Sequence, residues 1–267
     1  MIRAICCVPV SPLRAEPSHR SEMVSQLIFG ECCEILEEGK DSWSKIRGSF
    51  DGYEGWCQSG QLTEIDEPEY DNGNALTPDW VSSLEYNGHP MMVPMGAVLT
   101  AMKNGRAHWR KNQVHFKGKT WEPSAAGRDA KSIRQLTYKF LNTPYLWGGK
   151  TVFGADCSGF VQSVFRFMNI PLLRDASQQA TQGEAVGFLE ETKTGDLAFF
   201  DNEEGKITHV GILLSPHEII HSSVKVRIDK IDNMGIVRSD SFQRTHHLRI
   251  IKRILPEPQE AVRPKDR

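Results

Sequence analysis

The stretch Asp156-Cys157-Ser158-Gly159-Phe160-Val161-Gln162-Ser163-Val164-Phe165-Arg166-Phe167-Met168 decides how the second half of this chain is read. Phe160, Val161, Val164, Phe165 and Met168 follow Cys157 at i+3, i+4, i+7, i+8 and i+11, which is the spacing of one apolar helical face. Cys157 stands on that face in the first turn, so its sulfur faces whatever the helix packs on. Unpaired N–H groups and the helix dipole favour a thiolate there, and the expectation is a lowered thiol pKa. The plainer alternative is a small core residue, and helix position alone does not choose between the two.

The histidines shift that balance. Ile207–Leu214 and Ile219–Ser222 read as strands separated by Ser215-Pro216. With a turn centred on Ser215, His209 falls directly opposite His221 on one face, while Val210, Ile212 and Ile220 point the other way, into core. Paired imidazoles beside a thiol suit nucleophilic catalysis: one takes the proton and the other fixes its tautomer. Zinc is the weaker reading, because no fourth ligand stands at a telling spacing. No metal and no cofactor is expected.

Outward from these elements, Asp129 is positioned to cap a helix running to Leu141, with Ile133, Leu136, Phe140 and Leu141 as its stripe. The later runs Leu197–Phe200, Val224–Ile228 and Leu248–Ile254 add strands. Helices followed by an antiparallel sheet give an α+β class. Before them, residues 1–66 hold short runs split by Gly and Asp turns: Met23–Phe29, Cys32–Glu37, Trp43–Arg47, Tyr53–Cys57 and Leu62–Ile65. That pattern predicts a small β-barrel. Residues 66–89, rich in Pro, Asn, Gly and acid, read as a linker. Met91–Met102 and Trp109–Phe116 suggest a second, poorer barrel, giving bounds of 67–125 for linker and second unit. The α+β unit then takes 126–255, and the polar tail 256–267 is expected to be disordered.

Composition narrows the partners. The formal net charge is -2, so no global positive field points to nucleic acid or an acidic membrane. No run approaches the roughly 18 apolar residues of a membrane helix, and Met1–Val10 lacks a leader-like apolar core, so a cytoplasmic monomer is expected. Of six cysteines, Cys6-Cys7 and Cys32-Cys33 are adjacent pairs whose members point to opposite strand faces; buried small hydrophobes in a reducing compartment are expected. After Cys57 the only cysteine is Cys157, the pattern of a candidate nucleophile.

Five motifs then stand in order: Pro144-Tyr145-Leu146-Trp147-Gly148-Gly149, Asp156-Cys157-Ser158-Gly159-Phe160-Val161, Gly195-Asp196-Leu197-Ala198-Phe199-Phe200, Thr208-His209-Val210-Gly211-Ile212 and Ile220-His221-Ser222. From about Asp129 to Leu255 the chain resembles the NlpC family of papain-like murein peptidases. Glu22-Met23-Val24-Ser25-Gln26-Leu27, Phe29-Gly30-Glu31 and Gly52-Tyr53-Glu54-Gly55-Trp56 resemble the bacterial SH3-like domains that precede it in a subgroup of γ-D-glutamyl-L-diamino acid endopeptidases. The resemblance implies a papain-like catalytic domain, helices on an antiparallel sheet, behind two small SH3-like β-barrels. It implies Cys157 as nucleophile, His209 as base, His221 as orienting member and Tyr145 as an oxyanion donor. Asp156 and Ser158 would line the substrate cleft and Trp147 would wall it. Asp175 would receive the free ammonium of short murein peptides, L-Ala-γ-D-Glu-diamino acid, and Glu22 and Tyr53 are candidates for closing the far end of the cleft against glycan-linked stems. One departure is Ala176 after Asp175, where many relatives carry serine; Ser177 comes next. Two rival functions are a cell-wall-binding protein without catalysis and an amidase or acyltransferase using the same thiol.

Overall fold

The computed structural model describes residues 2–66 and 75–255. The first part carries β1 (Ile2–Cys6), β2 (Val10–Arg14), β3 (Met23–Ile28), β4 (Cys32–Glu38), β5 (Trp43–Gly48), β6 (Glu54–Gln58) and β7 (Leu62–Glu64). They form one antiparallel sheet in the order β3-β2-β6-β5-β4-β1-β7 around Leu13, Leu27, Cys33, Ile46 and Cys57. Strand alternation splits the adjacent cysteines. Cys33 enters that core, while Cys32 belongs to a second core on the other face. All six cysteines are free and buried.

That second core joins the first sheet to the next unit. β8 (Val81–Tyr86), β9 (His89–Pro94), β10 (Arg106–Trp109) and β11 (Asn112–Phe116) form a sheet in the order β10-β11-β8-β9. Its Leu84, Val93, Trp109 and Phe116 pack with Ile5, Ile28, Phe29 and Cys32 of the first. The expected linker over 66–89 is therefore too long. β8 already lies in the sheet, with Ser82 and Leu84 inward; alternation with polar residues hid it. Residues 67–74 of that linker and the tail 256–267 lie outside the described residues. Likewise Met95–Met102 is apolar because it lies against the first sheet, not because it is strand. Val98 N–H donates to Phe29 C=O at 2.8 Å, and Thr100 Oγ1 donates to Gly30 C=O at 2.7 Å. Gly30 is required here: its φ is +80°, and a Cβ would stand 1.8 Å from the Val98 carbonyl oxygen.

The remaining chain opens with α1 (Ala130–Lys139), whose first turn is capped by Asp129 through Ser132 N–H at 2.8 Å. A short hairpin, β12 (Lys150–Thr151) and β13 (Gly154–Ala155), leads into α2 (Cys157–Arg166) and then α3 (Ala176–Gln179). The last sheet comprises β14 (Glu184–Val186), β15 (Leu197–Asp201), β16 (Ile207–Ser215), β17 (Glu218–Ser223), β18 (Lys225–Asp232), β19 (Gly235–Val237) and β20 (Arg244–Arg253). Its order is β14-β20-β15-β16-β17-β18-β19, and β19 also pairs with β20, so six strands close on themselves. Phe160, Val164 and Phe165 of α2 and Ile133 and Leu136 of α1 pack with Val210, Ile212 and Ile220 on one face. Phe200, Leu213, Ile219 and Ile231 form a separate core on the other.

A buried ion cluster docks the first sheet onto this unit. Glu31 accepts from Lys150 Nζ at 3.0 Å and from Arg166 Nη1, and its other oxygen accepts from Ile28 N–H at 2.7 Å. Burial alone would raise its carboxyl pKa, but Lys150 and Arg166 outweigh that and hold it at about 2. A depressed carboxyl pKa stabilises above the ordinary value of 4.5 and is lost as pH falls toward 2. Glu31→Gln leaves the buried Lys150 and the half-buried Arg166 without their carboxylate, and a loss of about 3–5 kcal/mol is expected. Urea unfolding of both proteins checks this: the variant should be less stable at pH 7 and lose less stability between pH 4.5 and 2.

Candidate active site

Helix α2 begins at the nucleophile candidate because Asp156 caps it. Asp156 Oδ1 accepts from Gly159 N–H at 2.7 Å, and Oδ2 accepts from Gly148 N–H at 2.9 Å, which ties the Gly148-Gly149 turn to the helix. The fully buried Arg174 then grips the same carboxylate with both arms, Nη1 to Oδ1 at 3.0 Å and Nη2 to Oδ2 at 2.6 Å. Arg174 also donates to Ser158 Oγ at 3.0 Å and, through Nε, to Ser25 Oγ of the first sheet at 3.1 Å. Asp156 thus lines the cleft, but its charge is already matched by Arg174.

Cys157 is 6% exposed, and the backbone N–H groups of Val210 and Ser158 reach its sulfur. Val210 immediately follows His209. Burial, reinforced by the Asp156 charge, pushes the thiol up to about 12. The expected lowering is thus corrected: desolvation of the thiolate outweighs the helix N-terminus. His209 is pushed well below the ordinary imidazole value by burial, then by His221 and His246. Burial thus favours the neutral form of both the thiol and the imidazole.

The strand register differs from the expected one. His221 lies opposite Gly211, not His209, because the chain turns through Pro216-His217 with an irregularity between Leu213 and Ser215. The two histidines are diagonal neighbours on one face and still meet, His209 Nε2 to His221 Nδ1 at 2.8 Å. Gly211 creates that space. A Cβ there would lie 2.9 Å from His221 Cβ and 2.7 Å from Ile219 Cδ1.

Behind the pair stands Asp229, which sequence reasoning missed. Its carboxylate accepts from His221 Nε2 at 3.0 Å. The sequence signal is weak: Asp229 shares its strand parity with the buried Ile231 but also with Lys225 and Arg227, and its chain neighbours are Ile228 and Lys230. His246 was missed too, and its ring stacks on His209 with centroids 4.1 Å apart. Among the described residues, no cluster of three or more His, Cys, Asp or Glu groups is suited to hold a metal ion.

In front of the sulfur is a cleft of about 560 Å³. Tyr145, Trp147, Asp156, Ser158 and Asp175 line it from the α+β unit, and Glu22 and Tyr53 enter from the first sheet. His209 and His221 are buried and do not line it, but Thr208, next to His209, does. Trp147 Nε1 donates to Glu22 Oε1 at 2.6 Å. The Tyr53 hydroxyl donates to Asp175, whose carboxyl is raised above its usual range by burial. Tyr145 is fixed by its N–H donating to Val224 C=O at 2.9 Å, and its phenol pKa is raised by burial, then by the neighbouring Cys157. Ala176 and Ser177 both reach the cleft, so a hydroxyl is present one residue later than the expected pattern.

A helix-head thiol met by the N–H of Val210, whose chain neighbour His209 belongs to a buried imidazole pair, is the arrangement of a cysteine-peptidase site. Residues 142–243 match the NlpC/P60 family, and residues 13–62 match the bacterial dipeptidyl-peptidase Sh3 domain. A γ-D-glutamyl-L-lysine dipeptidyl-peptidase of Bacillus cereus is 34% identical over 77% of this chain and 68% of its own length. One of the same name from Bacillus subtilis is 46% identical over 35% of this chain, a match spanning only 32% of that protein. The crystal structure of an NlpC/P60 family protein from Bacillus cereus has the same fold, with a TM-score of 0.80 at 20% identity, covering 95% of this chain and all of that one. The chain belongs to the NlpC/P60 family of peptidases.

Gly211→Ala should displace the His221 ring while leaving the sheet intact. A fall in kcat on the order of 10²-fold is expected with an unchanged circular dichroism spectrum. Wild-type kcat in a folded Gly211→Ala protein would show that the ring spacing is not critical.

Proposed function

We propose that this protein is a dipeptidyl-peptidase that hydrolyses the γ-D-glutamyl–L-diamino acid bond of short murein peptides with a free N-terminal L-Ala, releasing L-Ala-γ-D-Glu. In this reading the unit at 126–255 is papain-like, and the β units at 1–66 and 67–125 are SH3-like. The observation that carries it is the wall of the cleft contributed by the first sheet. Glu22 and Tyr53 stand across from Asp175 there. Asp156 is neutralised by Arg174, so Glu22 and Asp175 are the carboxylates left for an ammonium. A bound ammonium would oppose the burial that raises the Asp175 carboxyl. A glycan-linked stem offers no ammonium and meets protein instead. The names of the two Bacillus relatives support the same bond.

The chemistry follows from the neutral forms that burial favours. As the Cys157 sulfur attacks the γ-carbonyl carbon, its proton passes to His209. The oxyanion is met by the Cys157 N–H at the helix head and by the Tyr145 hydroxyl; one such donor is commonly worth about 10²–10³ in rate. His209 returns the proton to the leaving amine, forming a thioester. Water, activated by His209, then attacks and frees the dipeptide. His221 holds the His209 ring throughout by the 2.8 Å bond.

Mass spectrometry of products from L-Ala-γ-D-Glu-L-Lys and its N-acetylated form tests the reading. The expected products are L-Ala-γ-D-Glu and lysine from the free peptide, with most of the rate lost on acetylation. Equal rates on the two peptides would refute ammonium recognition. Cys157→Ala should remain folded and abolish turnover of both.

A further inference from the structure

We propose that Asp229 is a positioning residue for this reaction: acting through His221, it determines which nitrogen of His209 carries the proton. The inference rests on the thiol–imidazole chemistry proposed above. Asp229 has a fully buried side chain, and its Oδ2 lies 3.0 Å from His221 Nε2. A carboxylate only accepts, so His221 Nε2 must carry a hydrogen. A neutral imidazole has one donor and one acceptor, which leaves His221 Nδ1 as the acceptor. That atom is 2.8 Å from His209 Nε2, which must therefore donate. The remaining His209 nitrogen, Nδ1, keeps its lone pair for the thiol proton. One buried carboxylate thus sets three protons in series.

The surroundings keep Asp229 ionised and oriented. Oδ1 accepts from Ser239 N–H at 2.8 Å and from Arg227 Nη2 at 3.0 Å; Oδ2 also lies 2.8 Å from Arg227 Nε, with no hydrogen bond between them, and is left to accept from His221. Arg227 sits directly opposite His221 in the β17–β18 register, so a guanidinium would face the imidazole N–H if Asp229 did not lie between them. The same bonds dictate what an amide would do. In Asp229→Asn the carbonyl oxygen stays with Ser239 and Arg227, and the NH₂ group faces His221 Nε2. Both imidazoles then reverse, and His209 presents N–H to the thiol instead of a lone pair.

The test is a double-mutant cycle in the full chain with His221→Asn, whose amide can accept from His209 without any tautomer of its own. Two readouts are taken: kcat on the free peptide, and the rate of iodoacetamide alkylation at Cys157, mapped by mass spectrometry. Alkylation needs no substrate, so it remains informative if the proposed peptide is not cleaved. Asp229→Asn alone should lower both on the order of 10²- to 10⁴-fold with KM little changed, the scale of a wrong-tautomer defect. In the His221→Asn background the same change should cost less than about 3-fold. Equal costs in the two backgrounds, or none in the first, would overturn the proposal. Imidazole ¹⁵N NMR of the unmodified protein tests it without any variant that must fold: His221 and His209 should each be protonated at Nε2, and a proton on His221 Nδ1 would refute it.

Discussion

The forked pair between Arg174 and Asp156 is the contact on which the site depends. Asp156 caps the helix that carries Cys157, holds the Gly148 turn and faces the cleft. An unpaired carboxylate in that position would be costly to bury and would repel a thiolate one residue away. Arg174 neutralises it and simultaneously reaches Ser158 and Ser25, so one guanidinium joins the helix head to the first sheet. Glu31 repeats the arrangement at the far end of the same helix, through Arg166 and Lys150. The far end of α2 is thus bound to the first sheet by an ion pair, and its head by the Arg174–Ser25 hydrogen bond.

Under the proposed mechanism, this fixation explains how a thiol in so unfavourable an environment can serve. Burial raises Cys157 and lowers His209, so both neutral forms are favoured at rest. No ion pair has to be maintained between turnovers. Charge needs to appear only as the reaction proceeds, and the N–H groups near the sulfur are already oriented to meet it.

Much of this was legible in the sequence because it follows from periodicity. The apolar stripe of α2, the cap at Asp129 and the shared face of His209 and His221 each depend on a repeat of 3.6 or 2. What was missed depends on the number of residues in a turn or on contacts between units. The His209–His221 register was misjudged because the reversal at Ser215–Glu218 is irregular. β8 was hidden by serine and acid in a strand with only one buried face. Asp229 is an ordinary strand carboxylate until folding sets it behind His221. The thiol pKa was misjudged because sequence reveals the helix end but not the depth of burial.

The core shared by the first two β units has an implication of its own. Ile5, Phe29 and Cys32 meet Trp109, Leu84 and Phe116 in one apolar layer, and Gly30 presses backbone to backbone against Val98. Covalent continuity across 67–74 is then not what keeps the two units together. A chain nicked there would retain both halves as complementing fragments, held by the free energy of apolar surface kept from water.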